Sequence, residues 1–235
     1  NKNAKSRAKA IKKELEKREL LGSAFLKKPI ASHADRLATL LRLRRAPQPE
    51  QQTDAWYEFR NSMLTASDFY KALGTARARN TFALQKVQVS PNTSGRSRAC
   101  MHGIKYEPVC RAVYEAMRGV CVEEFGCIRH ATYPFLGASP DGICDDMCAD
   151  HVGRAVEFKA PISRKIVQGS VPRQYAIQVQ GQLEVLGLDV CDYFECKIEE
   201  CEETSFYKLD SSKHPFRGIV LSYMTDDDER RKIYR

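Results

Sequence analysis

The sequence predicts an α/β protein in which a mixed central sheet lies between two layers of helices. Two observations lead to this fold class. Beyond residue 50, apolar strand-like runs alternate with helical segments, and strands interleaved with helices pack as layers around one sheet. The chain has 235 residues, of which 43% are hydrophobic, and this is enough for one domain with its own core.

Two helices are predicted before the core begins. Residues 1–20 are rich in Ala, Lys, Arg and Glu, a composition typical of a basic helix, and Gly22 ends it. Ser32 or Asp35 would cap a second helix, which has leucines at helical spacing. The linker-like stretch around Pro47 ends this second helix.

The net positive charge is concentrated in the same N-terminal segment. Residues 1–47 hold 14 basic and 4 acidic side chains, whereas residues 48–235 hold 24 and 26. A basic block of this kind favours a nucleic acid or another acidic partner, although a solvated helix face explains the charges equally well. We therefore predict a basic helical extension over residues 1–50 and a core over residues 51–235.

The elements of the core follow from helix caps, helix breakers and periodicity. Thr53 would cap the first core helix, and Gly74 would end the second. The acidic run from Asp226 would begin a last, polar helix, because acids favour the N-terminal end of the helix dipole. The predicted helices span residues 53–60, 65–73, 78–89, 104–118 and 172–187, and the predicted strands lie within 120–130, 133–138, 154–160 and 189–198.

Composition argues against secreted and membrane-spanning classes of protein. The nine cysteines are an odd number, and no apolar block follows the basic N-terminal residues. We therefore expect no secretory signal and free thiols in a reducing, intracellular compartment. No run approaches the roughly 18 apolar residues of a membrane span, so we expect no membrane partner.

Two segments hold residues suited to metal-assisted hydrolysis. Asp141 lies in a Pro-Asp-Gly turn after an apolar strand, and Glu157 and Lys159 lie two apart on a later strand, where both point to one face. A hairpin would bring the three side chains together. Two carboxylates hold a hard cation such as Mg²⁺, which activates water, and a lysine stabilises developing negative charge. The simpler alternatives are a turn aspartate and a surface ion pair.

These segments, together with others in the same order, resemble a known family. Pro-Asp followed by Glu-x-Lys is the signature of the PD-(D/E)xK nuclease superfamily, and the chain resembles its YqaJ-type viral recombinase (lambda exonuclease) family. The resemblance implies a restriction-endonuclease-like core of three layers. The matching segments are Gln52–Arg60 with Leu64–Ser67, Gly103–Glu107, Gly137–Gly142, Glu157–Pro161 and Tyr175–Gln182.

The resemblance implies a role for each matched residue at the reaction centre. Asp141 and Glu157 would be metal ligands, together with the backbone carbonyl of Phe158. Lys159 would act on the attacking water. Glu107 would add a carboxylate from a long helix, although an acid at a helix start is also favoured by the dipole alone. The metal would be Mg²⁺, or Mn²⁺ in its place.

Four further residues receive roles from the same resemblance. Gln178 would face the reaction centre and hold a ligand or a water molecule. Arg60 and Ser67 would form a pocket for a DNA 5′-phosphate, which suits a bidentate guanidinium and a helix N-terminus. Arg164 would touch the terminal phosphate, although its spacing is one residue short. The plainer alternatives are a surface amide, surface charges and an N-cap.

The implied function is a Mg²⁺-dependent DNA exonuclease that hydrolyses duplex DNA from 5′ ends and leaves 3′ single strands. Such an enzyme would serve recombination, repair or viral DNA processing, with a single-strand annealing protein as partner and a virus or phage as source. Family members act as ring-shaped trimers or as monomers, so the oligomeric state stays open. The alternatives are a metal-dependent endonuclease of the same fold and a non-catalytic DNA-binding module.

Two groups of cysteines suggest a further metal, but neither has convincing spacing. The late group is evenly spaced, unlike the tight clusters that bind iron and sulfur. The group between the nuclease segments is loosely zinc-like, but neighbouring aspartates favour a solvated turn. We therefore expect neither zinc nor iron. The two groups are Cys191, Cys196 and Cys201, and Cys144, Cys148 and His151.

Overall fold

The structure is a computed structural model, and it describes residues 31–49, 51, 53–87, 97–224 and 230–234. In these ranges helices alternate with strands, as expected for an α/β protein. The predicted helix over residues 1–20 lies outside the described residues. Within the described part of the chain, no helix is long and apolar enough to cross a membrane.

The elements agree in order with most of the sequence prediction. The helices are α1 (His33–Arg45), α2 (Asp54–Asn61), α3 (Phe69–Ala72), α4 (Ala76–Val87), α5 (Arg98–Arg118), α6 (Arg173–Leu186) and α7 (Glu203–Phe206), with 3₁₀ turns at Ala66–Asp68 and Ala149–His151. The strands are β1 (Leu64–Thr65), β2 (Val122–Glu123), β3 (Ile128–Arg129), β4 (Leu136–Ala138), β5 (Gly142–Cys144), β6 (Ala155–Lys159), β7 (Cys191–Glu195), β8 (Val220–Met224) and β9 (Arg230–Tyr234).

The strands form mixed sheets, which confirms the predicted fold class. One sheet has the order β1-β4-β3, with β1 parallel and β3 antiparallel to β4. The second has the order β2-β5-β6-β7, in which β6 and β7 are parallel and the other pairs antiparallel. The two sheets adjoin where β4 leads into β5 through residues 139–141.

Helices cover both faces of the four-stranded sheet and complete the predicted three layers. α5 covers one face, where Tyr106 and Tyr114 pack with Val156 and Phe158. α1 and α6 cover the other face, because successive strand side chains point to opposite sides. The residues that pack there include Leu40, Leu43, Ile143, Ala155, Val185 and Leu186.

Helix α1 is an integral part of this core. Ser32 caps it in a capping box with Asp35, as the sequence indicates. Leu40 and Leu43 are completely buried in the core. The predicted extension over residues 1–50 therefore includes a helix that packs as core, because its leucine stripe needs an apolar partner.

Two parts of the prediction differ most from the structure. α5 begins at Arg98, six residues before the predicted start, because Ser97 supplies the N-cap and Gly103 lies inside the helix. The predicted C-terminal polar helix is wrong for residues 230–234, which form β9 antiparallel to β8. The Tyr234 hydroxyl also donates a hydrogen bond to a backbone carbonyl of α5 at 2.7 Å.

Candidate active site

The hairpin expected between the two nuclease segments is present. β5 and β6 are antiparallel, and Gly142 is paired with Val156. Continuing this register by one residue places Asp141 opposite Glu157. A glycine is required at the start of β5, because a Cβ on Gly142 would lie 2.1 Å from Cγ1 of Val122 on the neighbouring strand.

Glu157 lies at the centre of the site and is completely buried. Its Oε1 accepts a hydrogen bond from Nε2 of Gln178 at 2.6 Å, and its Oε2 accepts one from Nε2 of Gln182 at 2.6 Å. Lys159, two residues along the same strand, forms an ion pair with Oε1. Both carboxylate oxygens are thus fixed by donors from a strand and a helix.

Asp141 faces the same lysine from the opposite strand end. Its Oδ2 lies 3.9 Å from Nζ of Lys159 and accepts a hydrogen bond from the Phe158 backbone N–H at 2.7 Å. The Phe158 carbonyl oxygen accepts a hydrogen bond from the same Nζ at 3.1 Å. Two carboxylates and one carbonyl therefore converge on a single amine.

Burial and like charge set the protonation of this cluster. Burial raises the pKa of Asp141 well above its usual range, the Glu157 carboxylate raises it further, and Lys159 opposes both. Burial alone would lower the pKa of Lys159, but the two carboxylates outweigh it and hold the pKa above its ordinary value. The two acids therefore favour the protonated form of this lysine.

Glu107, on α5, interacts electrostatically with this cluster, and its predicted role as a metal ligand stays a prediction. Burial raises the pKa of its carboxyl group, Lys159 and Arg111 lower it, and Glu157 and Glu124 raise it again. The net effect of these influences is to raise the pKa of Glu107. These influences place the Glu107 carboxylate within electrostatic reach of the reaction centre.

The donor atoms present fit Mg²⁺. Hard divalent cations take carboxylate and carbonyl oxygens, and Asp141, Glu157 and the Phe158 carbonyl supply these around one point. No group of three or more His, Cys, Asp or Glu side chains within the described residues could hold a metal by itself. The candidate set of oxygen donors therefore combines two carboxylates with the backbone carbonyl of Phe158.

The predicted phosphate pocket is assembled beside the reaction centre. The guanidinium of Arg60 donates to the Ser67 hydroxyl at 3.4 Å and to the Ser139 hydroxyl at 3.3 Å, and it lies 4.2 Å from the centre of the Trp56 ring. Ser67 follows β1, which is parallel to β4. The pocket and Asp141 therefore lie at the same ends of neighbouring strands.

Arg164 contacts residues of β7 and α6. It forms an ion pair with Glu195 on β7, and its guanidinium carbon lies 5.8 Å from the centre of the Tyr175 ring. Its predicted contact with the terminal phosphate stays a prediction.

Sequence reasoning missed two residues of the site, Gln182 and Ser139. Gln182 lies four residues after Gln178, so both amides lie on one face of α6. Ser139 lies two residues before Asp141, within a segment already singled out. Helical spacing could have identified the first of these, but the contact of Ser139 with Arg60 depends on the fold.

The cysteines take part in packing and in local hydrogen bonds. All nine are free thiols. In the hairpin, the Cys148 thiol donates to the Asp145 side chain at 3.0 Å and to the Cys121 carbonyl at 3.3 Å. Cys144 is completely buried. The expectation that no cysteine binds zinc or iron stays a prediction.

The chain matches the model of the YqaJ-like viral recombinase domain over residues 55–189. It is 32% identical over 187 residues to the uncharacterized protein R354 of Acanthamoeba polyphaga mimivirus, covering 72% of this chain and 33% of R354. It is 27% identical over 162 residues to protein D345L of African swine fever virus, covering 57% and 46% respectively. The chain thus spans a third to a half of these viral relatives.

Solved structures show the same fold. The alkaline exonuclease LHK-Exo from Laribacter hongkongensis matches with a TM-score of 0.54 and 24% identity, covering 77% of this chain and 81% of the exonuclease. Its complex with dAMP matches with a TM-score of 0.54 and 23% identity, covering 78% and 82%. The matched family domain contains every residue of the site described above.

Proposed function

This chain belongs to the YqaJ-like viral recombinase domain family, and we propose that it is a Mg²⁺-dependent exonuclease acting on duplex DNA. One observation carries the proposal. Asp141, Glu157 and the Phe158 carbonyl converge on Lys159 at the end of a hairpin. The activity in the name of the structural neighbour, an alkaline exonuclease, agrees with it.

The chemistry follows from charges that are fixed before substrate arrives. A Mg²⁺ ion bound by these oxygens would lower the pKa of water and neutralise phosphate charge. The two carboxylates favour protonated Lys159, and its Nζ would donate to the attacking water or to the developing negative charge on phosphate. Gln178 and Gln182 hold Glu157 in one orientation, which reduces the reorganisation needed during the reaction. Glu107 adds a carboxyl group from α5.

The proposed polarity rests on the pocket beside the reaction centre. Arg60 is held by stacking on Trp56 and by two serine hydroxyls, so its planar guanidinium is oriented before a phosphate binds. A DNA 5′-phosphate bound between Arg60 and Ser67 would place the adjoining nucleotides towards Asp141. We therefore propose cleavage from 5′ ends, which leaves 3′ single strands.

The biological setting proposed is recombination, repair or processing of viral DNA. Relatives from two viruses favour a viral source. A protein that anneals single strands is the proposed partner, because the 3′ strands produced would be its substrate.

The test compares linear duplexes bearing 5′-phosphate or 5′-hydroxyl ends with a closed circle, each with Mg²⁺. We expect digestion of linear DNA, fastest with 5′-phosphate, and an intact circle. Asp141→Asn should lose several powers of ten in rate, because metal-assisted activation of water is lost. Asp145→Asn, in the exposed turn of the same hairpin, is the matched control. Cleavage of the circle would instead indicate an endonuclease, and binding without cleavage a non-catalytic module.

The role of the pocket has its own variant. Arg60→Ala should reduce the preference for 5′-phosphate over 5′-hydroxyl ends, because the bidentate donor to phosphate is removed. The exposed Arg118, at the end of α5, is the control, and Arg118→Ala should retain the preference. Equal preferences in wild type and Arg60→Ala would contradict the assignment of the pocket.

A further inference from the structure

The side chain of Gln182 is buried in a place where a buried amide is costly. It is 1% exposed and lies on α6 between the reaction centre and the phosphate pocket. Its Oε1 has no hydrogen-bond partner within the described residues. A buried polar group of this kind lowers the stability of the fold unless it is hydrogen-bonded. The hydrogen bonds that its Nε2 donates therefore account for the presence of an amide at this position.

Those contacts join two parts of the site. Nε2 of Gln182 donates to Oε2 of Glu157 at 2.6 Å and lies 3.4 Å from the backbone carbonyl oxygen of Ser139, which also accepts from it. The hydroxyl of Ser139 accepts from Arg60 at 3.3 Å. Hydrogen bonds therefore connect Arg60 to the hydroxyl of Ser139, and the carbonyl of Ser139 to Gln182 and Glu157. The hydroxyl and the carbonyl of Ser139 are joined within the one residue.

The helix that carries Gln182 is also fixed against the pocket. Gly181 lies so close to Phe69 that a Cβ at this position would be 2.6 Å from the ring carbon Cδ2. The same Cβ would lie 3.2 Å from Ala66, which precedes Ser67. The 3₁₀ turn that contains Ser67 therefore packs closely against α6, one residue from Gln182.

We propose that Gln182 is a positioning residue that couples a filled 5′-phosphate pocket to the orientation of Glu157. This inference rests on the proposed exonuclease function and adds to it a reason why a terminal phosphate would speed catalysis as well as binding. A phosphate on Arg60 changes the hydrogen bonds of Ser139. Gln182 transmits that change to one oxygen of Glu157, while Gln178 holds the other.

The test replaces the amide by an apolar side chain of similar size. Gln182→Met should lower kcat on 5′-phosphorylated duplex by about 10–100-fold, the usual effect of losing a group that orients a metal ligand. KM for the duplex should be unchanged, because Gln182 is 1% exposed and so is not available to bind DNA. The kcat ratio between 5′-phosphate and 5′-hydroxyl ends should fall by about fivefold or more.

Two further measurements separate coupling from a loss of folding. Calorimetric titration of Mn²⁺ into metal-free protein should give a Kd about 10-fold or more weaker for Gln182→Met. Gln182→Asn keeps a polar group but shortens its reach, so it should show the same losses if the methionine variant does not fold. Gln180→Met, on the exposed side of the same helix, is the control and should match wild type in every assay.

The outcomes are distinguishable from a failure of the exonuclease proposal. If wild type digests linear duplex and Gln182→Met keeps its kcat and its end preference, the coupling role is overturned and the exonuclease function stands. A fall in kcat with an unchanged end preference would also overturn the coupling. A wild-type protein that digests neither linear substrate would reject both proposals.

Discussion

The charge balance at the reaction centre gives a prediction about stability. Lys159→Met keeps most of the side chain's length and removes its charge, which leaves the completely buried Glu157 without a cation. Asp141 lies 3.9 Å from the same Nζ, but its raised pKa means that it is not counted as a second full charge, so the cost is worked from Glu157 alone. Breaking a buried pair by removing one partner costs about 3–5 kcal/mol.

This free energy is large enough to measure by thermal unfolding. For a chain of this size each kcal/mol lowers Tm by about 2–4 °C, so Lys159→Met should melt about 6–20 °C below wild type in EDTA. Calorimetry or circular dichroism at neutral pH provides the assay. The double variant Lys159→Met/Glu157→Gln should recover most of the loss, because the uncompensated carboxylate is gone.

A surface lysine supplies the matched control. Lys71 pairs with Asp68 at 2.9 Å, but its side chain is 56% exposed. Exposed pairs contribute about 0–1 kcal/mol, so Lys71→Met should change Tm by at most about 4 °C. If Lys159→Met also melted within that range of wild type, the electrostatic account of the cluster would be refuted.

Three other predictions concern pH, metal content and charge. In EDTA, the free energy of unfolding should fall as pH rises from the ordinary pKa of an aspartic acid through the raised pKa of Asp141, because the folded state then binds more protons than the unfolded state. Asp141→Asn should flatten this fall, and an equally steep curve for the variant would contradict the prediction. Elemental analysis of purified protein should find no stoichiometric zinc or iron, and about one equivalent per chain would make the cysteines metal ligands. Removing residues 1–30, which hold 10 basic and 3 acidic side chains, should flatten the salt dependence of duplex binding without lowering Tm; identical salt slopes would reject a DNA-contacting segment.

Much of the fold could be predicted because its signals are local. Ser32 and Thr53 cap α1 and α2 as their side chains and spacing indicate. The period-two pattern of β6 correctly places Glu157 and Lys159 on one face. In these cases the residues that decide the structure lie within a few positions of each other.

The parts that were predicted wrongly depend on distant partners. The acidic run from Asp226 favours a helix locally, but residues 230–234 pair with β8, and Tyr234 reaches α5. Similarly, the sequence of α1 predicts part of a charged extension, but in the structure its leucines pack against the sheet and α6. Charge counts describe what a segment exposes, whereas its apolar stripe decides where it packs.

The candidate site likewise contains some residues that a local motif identifies and others that only the fold brings together. A sequence motif brings attention to Asp141, Glu157 and Lys159, but it does not show that Gln182 fixes the second oxygen of Glu157. Nor does it show that Arg164 pairs with a buried acid on β7. Both contacts join residues more than 20 positions apart in the sequence, so no local pattern contains them.

The rate of nucleotide release from a 5′-phosphorylated linear duplex by Glu157→Gln tests the central claim most directly. The substitution keeps the size of a completely buried side chain and removes one carboxylate oxygen from the proposed metal site. We predict a loss of at least about a thousandfold in kcat, or more than roughly 4 kcal/mol of transition-state stabilisation, in a protein that stays folded. A folded Glu157→Gln protein that releases nucleotides at the wild-type rate would contradict the assignment of this cluster as the nuclease centre.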